Sequence, residues 1–83
     1  MKILYFAWLR ERMNKGSEEV SPPNDVTTID QLIDWKSNSD EGFALAFTDR
    51  AIIRTSIDDE LVDPDAPIAN AREIAFFPPM TGG

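Results

Sequence analysis

Two short apolar runs stand at opposite ends of this chain, "KILYFA" at residues 2–7 and "IAFF" at residues 74–77, and they are its most apolar strand-like segments. At a sheet edge either run would leave aromatic side chains in water, so both belong side by side in the middle of one sheet. Parallel pairing between them is open, because the long connection contains a helix that carries the crossover. In the first run the alternating sets Ile3/Tyr5 and Leu4/Phe6 are both apolar, which predicts a strand covered on both faces.

The segments between these strands obey the same logic. "WLRERMNKG" spaces Leu9 and Met13 four apart and stops at Gly16, as a short helix does. A second strand is expected over residues 18–21, ended by Pro22 and Pro23. Thr27 and Asp30 have capping-box spacing, and Ile29, Leu32 and Ile33 recur at three and four, so the principal helix is expected over residues 28–36. "FALAF" at residues 43–47 reads as a second, short helix with Phe43 and Phe47 on one face. "AIIRTSI" alternates as a half-buried strand, "DD" reads as a tight turn, and "ELV" as its short partner. Pro64 and Pro67 keep the next stretch in loop, and Pro78-Pro79 ends the last strand. The order is an α+β arrangement, a mixed sheet of four to five strands wrapping one main helix, which is the layout of a β-grasp, ubiquitin-like domain. The domain spans residues 1–77, and residues 78–83 form an extended, flexible C-terminal tail.

Composition limits the chemistry. Eighty-three residues make one small core with no room for a deep pocket. There is no cysteine or histidine, so thiol nucleophiles, disulfides, thiolate metal sites and the commonest general base are all excluded. A net charge of -7 argues against nucleic acid as a partner and suits a basic protein surface. "ILYFAWL" is too short to span a bilayer, and Arg10, Glu11 and Arg12 interrupt it where a signal peptide needs a cleavage site. A cysteine-free domain of this size fits the cytoplasm. "DDELVDPD" is rich in oxygen ligands, but a calcium loop starting at Asp58 needs glycine and glutamate where Asp63 and Ala69 stand, so turn chemistry accounts for it better.

The tail remains. Residues 78–83 reach roughly 20 Å when extended. Pro78 and Pro79 stiffen its base, and the Gly82-Gly83 tip has no side chain, so it passes where only a backbone fits. The reactive group left to this chain is the α-carboxylate of Gly83. A carboxylate needs activation to become an acyl donor, and the chain carries no phosphate-binding loop, so another protein must supply the nucleotide site. A terminal Gly-Gly alone is also what a frayed end looks like. Its conjunction with a strand, two prolines and a β-grasp pattern favours the functional reading.

"EIAFFPPMTGG" at residues 73–83 resembles the C-terminus of the molybdopterin synthase small-subunit family, and "ILYFAWLRE" at residues 3–11 is similar to that family's first strand and helix. Length and element order extend the resemblance over the whole chain. It implies a sulfur carrier. Gly83 would be adenylated by a ubiquitin-activating-like adenylyltransferase using ATP, then converted to a thiocarboxylate by a sulfur donor protein. No cofactor would be bound by the chain itself. Within a heterotetrameric synthase the tail would enter the large subunit, and the thiocarboxylate would give its sulfur to precursor Z, cyclic pyranopterin monophosphate. Pro78, Pro79, Met80, Thr81 and Gly82 would line the partner's channel, and Phe76 or Phe77 would add apolar docking area, according to strand register.

Two stretches depart from the family pattern: "NARE" at residues 70–73, where an acidic, glycine-containing turn is usual, and "DD" at Asp58-Asp59, where asparagine is common. Other readings use the same tail, namely a carrier of the thiamine-pathway type or a protein modifier joined through Gly83. An adaptor binding through a sheet edge or an exposed phenylalanine would leave the diglycine unexplained.

Overall fold

The computed structural model describes residues 1–79. The elements are β1 (Lys2–Tyr5), α1 (Trp8–Met13), β2 (Ser17–Glu19), α2 (Ile29–Ser39), α3 (Glu41–Ala46), a 3-10 turn (Arg50–Ile52), β3 (Arg54–Ile57), β4 (Glu60–Val62) and β5 (Glu73–Phe77). They build a five-stranded sheet in the order β2-β1-β5-β3-β4. β1 and β5 pair in parallel with Ile3 beside Ile74 and Tyr5 beside Phe76, while β2, β3 and β4 are antiparallel to their neighbours. The two apolar runs thus lie together at the centre, and the architecture is a β-grasp.

All three helices lie on one face of the sheet. Ile3, Tyr5, Ile74 and Phe76 on that face, with Leu9, Ile29, Leu32 and Phe43 from the helices, are essentially inaccessible to water. Phe43 stacks on Phe47 at 3.9 Å between centroids, and Phe47 meets Phe76 edge-on at 4.9 Å. Full burial of each such side chain is worth about 1.5–3 kcal/mol. Coverage of β1 on both faces does not occur: Leu4 is half-buried and Phe6 is 48% exposed. With every helix on the other side, nothing among the described residues covers this one.

Several boundaries differ from the sequence expectation for local reasons. β1 stops at Tyr5, because Ala7 takes φ 54° and ψ -133° and Leu9 N–H reaches back to the Phe6 carbonyl, turning the chain into α1. β2 is Ser17–Glu19 and not residues 18–21. After it the Val20 carbonyl accepts the Met1 ammonium and the Val20 N–H bonds the Met1 carbonyl, and then the prolines intervene. The cap of α2 is Thr28, one residue later than the spacing suggests: its hydroxyl accepts the Gln31 N–H at 3.2 Å, and Gln31 Oε1 accepts the Thr27 N–H at 2.7 Å. α2 runs on to Ser39, where Asp40 turns extended and caps α3 by accepting the Phe43 N–H at 3.1 Å. The start of "AIIRTSI" forms the 3-10 turn, so β3 begins only at Arg54.

One polar cluster is set into the edge of this core. Lys36 Nζ donates to Glu18 Oε1 at 2.9 Å and to Asp40 Oδ2 at 3.2 Å, and the Tyr5 hydroxyl donates to Glu18 Oε2 at 2.6 Å. The cluster ties the end of α2 to edge strand β2 and central strand β1. Burial pushes the Tyr5 hydroxyl pKa up, and the Glu18 carboxylate adds to the effect. For Glu18 burial opposes the charge, but the Tyr5 and Lys36 hydrogen bonds and the nearby lysines outweigh it and its pKa is lowered. Burial likewise opposes the Lys36 charge and is outweighed by its two carboxylate partners, which raise it. The Phe43 N–H holds Asp40 below its ordinary value, with burial opposing and Lys36 assisting.

Candidate functional site

β5 is the central strand, and it leads straight out of the sheet into Pro78 and Pro79, both half-buried. Met80, Thr81, Gly82 and Gly83 lie outside the described residues. The site that can be built is therefore the base of the tail and the surfaces around it.

The two phenylalanines offered as docking area part company here. Phe76 points to the helices and is fully buried against Tyr5, Phe43 and Phe47. It belongs to the core and supplies no docking area, because period-two alternation sends adjacent residues to opposite faces. Phe77 is half-buried on the helix-free face, opposite Arg54 of β3.

That outer face is apolar in two rows. Leu4, Ala75, Ser56 and Leu61 are successive cross-strand neighbours. One step nearer the tail, Phe6 continues the β1 register beside Phe77, its N–H bonding the Phe76 carbonyl at 3.1 Å. Phe6 is 48% and Leu61 67% exposed. Leu4, Phe6 and Phe77 form an apolar patch at the foot of the tail, bordered by Arg54, with Leu61 set apart across Ser56, and such a patch is the kind that marks a protein interface. Sequence reasoning misses Leu4, Phe6 and Leu61 as surface residues. Leu4 and Phe6 do carry a signal, as the second apolar set of "KILYFA", but that signal points equally well to a second core face.

Charge is graded along the strands. At the tail end stand Arg10 and Arg12 on α1, Lys15 after it, and Arg54 at the start of β3. At the opposite end the β3–β4 turn and the start of β5 gather Asp58, Asp59, Glu60 and Glu73. Glu11 and Asp49 also stand at the tail end and Lys2 and Arg72 at the other, so the bias is partial in a chain whose net charge is -7.

The two departures from the family pattern are resolved by the backbone. Asp58 and Asp59 both take positive φ, 48° and 71°, as the two central residues of a hairpin turn between β3 and β4 must. The Asp58 carboxylate also accepts the Arg72 and Glu73 N–H groups at 3.2 and 3.0 Å, so this acid ties the hairpin to the start of β5. Asn70 supplies a left-handed residue, φ 70°, in the turn before β5, a conformation that asparagine takes more readily than most residues. Among the described residues no helix is long and apolar enough to cross a membrane.

The ThiS family model matches residues 3–83. The chain is 34% identical over 83 residues to the molybdopterin synthase sulfur carrier subunit of Escherichia coli (strain K12), covering 100% of this chain and 99% of that protein. It is 29% identical, with the same coverage, to the molybdopterin synthase sulfur carrier subunit of Haemophilus influenzae (strain ATCC 51907 / DSM 11121 / KW20 / Rd). Among solved structures it superposes on SAMP1 from Haloferax volcanii with a TM-score of 0.73, covering 99% of this chain and 97% of that one at 22% identity, a likeness of fold.

Proposed function

The chain belongs to the ThiS family, and on that premise we propose that it is the sulfur-carrying small subunit of a molybdopterin synthase, with Gly83 as the working residue. The observation that carries this reading is the placement of the tail: the most central strand of the sheet runs directly into Pro78 and Pro79, beside an uncovered apolar face. A body with no cysteine and no histidine acts through its main chain.

The chemistry is that of the carboxylate. Its oxygen attacks the α-phosphate of ATP in a separate activating enzyme, releasing pyrophosphate and leaving an acyl-adenylate on Gly83. Sulfur at the sulfide level, brought by a donor protein, displaces AMP and leaves a terminal thiocarboxylate. That sulfur is a good nucleophile near neutral pH and needs no thiol side chain. Inserted into the large subunit, it attacks a carbon of precursor Z and displaces an oxygen leaving group, and water then cleaves the acyl–sulfur bond, leaving the sulfur on the pterin as a thiolate and returning Gly83 to the carboxylate. The chain itself holds, presents and orients. Phe77, Phe6 and Leu61 dock the body, and Pro78, Pro79, Met80, Thr81 and Gly82 fill the channel.

Deletion of Gly82 and Gly83 tests the reading. The core lies wholly within residues 3–76, so the shortened chain keeps its stability while sulfur transfer is abolished. An adaptor would retain its activity after the deletion. A carrier for another pathway would lose activity with its own recipient but never support molybdopterin formation.

A further inference from the structure

A groove between α1 and the α3–β3 connection lies directly ahead of β5. It is lined by Trp8, Arg12, Ala46, Thr48, Asp49 and Ile52, with a volume of about 500 Å³, within the range of sites that hold small ligands. Strand register fixes its position relative to the tail. Tyr5 lies beside Phe76 and Arg54 beside Phe77; α1 begins at Trp8, three residues past the first pair, and the 3-10 turn ends at Ile52, two residues before the second, so both walls of the groove belong to segments that flank the end of β5. The groove therefore lies at the end of the sheet from which β5 leaves.

Its chemistry is matched to the residues beyond Pro79. Trp8 is half-buried and Ile52 is 43% exposed, giving two apolar walls. The Arg12 guanidinium lies 4.5 Å above the Trp8 ring and makes no ion pair among the described residues. Asp49 is the acid on the opposite wall and repels an anion toward the Arg12 side. Residues 80–83 span at most about 14 Å, enough to lie along such a groove. They offer one flexible thioether, Met80, which suits an aromatic wall, and a terminal carboxylate, which suits a guanidinium.

We propose that this groove is an intramolecular binding site for the chain's own last four residues, with Met80 against Trp8 and the Gly83 carboxylate paired to Arg12. The proposal rests on the reading that Gly83 ends the working chain, and on nothing about what Gly83 later carries. An exposed carboxylate–guanidinium pair is weak, so the tail exchanges readily and a partner offering a channel displaces it. The groove then covers the resting terminus and leaves the outer sheet face free for docking.

The test is ¹H–¹⁵N NMR of the full chain, whose two tryptophan indoles, Trp8 and Trp35, report separately. Removal of residues 80–83 shifts the Trp8 indole signal and leaves that of Trp35 in place. Arg12→Gln, at an exposed position, and conversion of the Gly83 carboxylate to a carboxamide each move the Gly83 amide signal toward its position in a free peptide, and together they do no more than either alone. A Trp8 signal indifferent to truncation, or a Gly83 signal indifferent to Arg12→Gln, overturns the proposal. A Trp8 shift that grows with protein concentration assigns the groove to a second copy and overturns it as well. Sulfur loading of Gly83, measured separately, tests the carrier reading, so the two can fail independently.

Discussion

Phe76 and Phe77 are consecutive in β5 and face opposite ways, Phe76 sealed among Tyr5, Phe43 and Phe47 and Phe77 half-buried opposite Arg54 on the helix-free face. The same truncation therefore has different consequences at the two positions. Phe76→Ala removes a ring from the centre of the core and costs about 3–5 kcal/mol, a large share of what a domain of this size has. Phe77→Ala costs under about 1 kcal/mol in urea denaturation, yet weakens large-subunit binding by about tenfold or more. Calorimetry of binding alongside denaturation separates the two effects.

The Lys36 cluster sets the pH range of stability. Glu18 and Asp40 titrate below their ordinary values of 4.5 and 3.8, so their contribution is complete above those values and is lost as pH falls through the lower folded ones. Lys36 titrates above 10.5, so its contribution is complete below that value and is lost as pH rises through the higher folded one. Tyr5 likewise titrates above its ordinary 10.0, so its contribution too is lost as pH rises past that value, and what the cluster contributes is flat from about pH 5 to about pH 9. Lys36→Met leaves Asp40 without its ion-pair partner and Glu18 with Lys15 at 3.6 Å, and costs about 2 kcal/mol at pH 7, a cost that shrinks as acid protonates the carboxylates. Urea titrations of both proteins across this range check it; a pH-independent difference would contradict it.

The β3–β4 hairpin gives a prediction of opposite sign. Asp59 holds φ 71° with no side-chain hydrogen bond among the described residues, so Asp59→Gly relieves the backbone and raises stability by about 0.5–1 kcal/mol. Asp58 shares the turn but also accepts two backbone N–H groups at the start of β5, so Asp58→Ala lowers stability by about 1–2 kcal/mol. Thermal melts of the two variants should move in opposite directions.

The central features of the fold are legible in the sequence because they arise from large hydrophobic terms. Two aromatic-rich runs have to be adjacent and central, and the helix in the long connection allows them to be parallel. The features that escape the sequence depend on small or nonlocal terms. Thr27 and Thr28 are equal candidates as caps until Gln31, and not Asp30, decides between them. The turn at Ala7 uses a conformation that alanine seldom takes, so no residue type announces it. Lys36 reads as an ordinary helix end, because its partner Glu18 lies 18 residues away across the sheet. The outer apolar face is hidden by the expectation that an all-apolar strand is covered twice; such a strand is equally what a docking surface requires. The end of the last strand, by contrast, is legible in Pro78-Pro79, which directly follow central β5; residues 80–83 lie outside the described residues.

The claim on which everything else depends is that Gly83 carries the sulfur. Mass spectrometry of the intact chain and of its C-terminal peptide, after incubation with an activating enzyme, ATP and a sulfur donor, measures this directly. The account predicts a mass increase equal to the exchange of one oxygen for sulfur, confined to Gly83 and dependent on ATP. A chain that stays unmodified when such an enzyme is turning over its own carrier, or sulfur bound anywhere else in the chain, would contradict it.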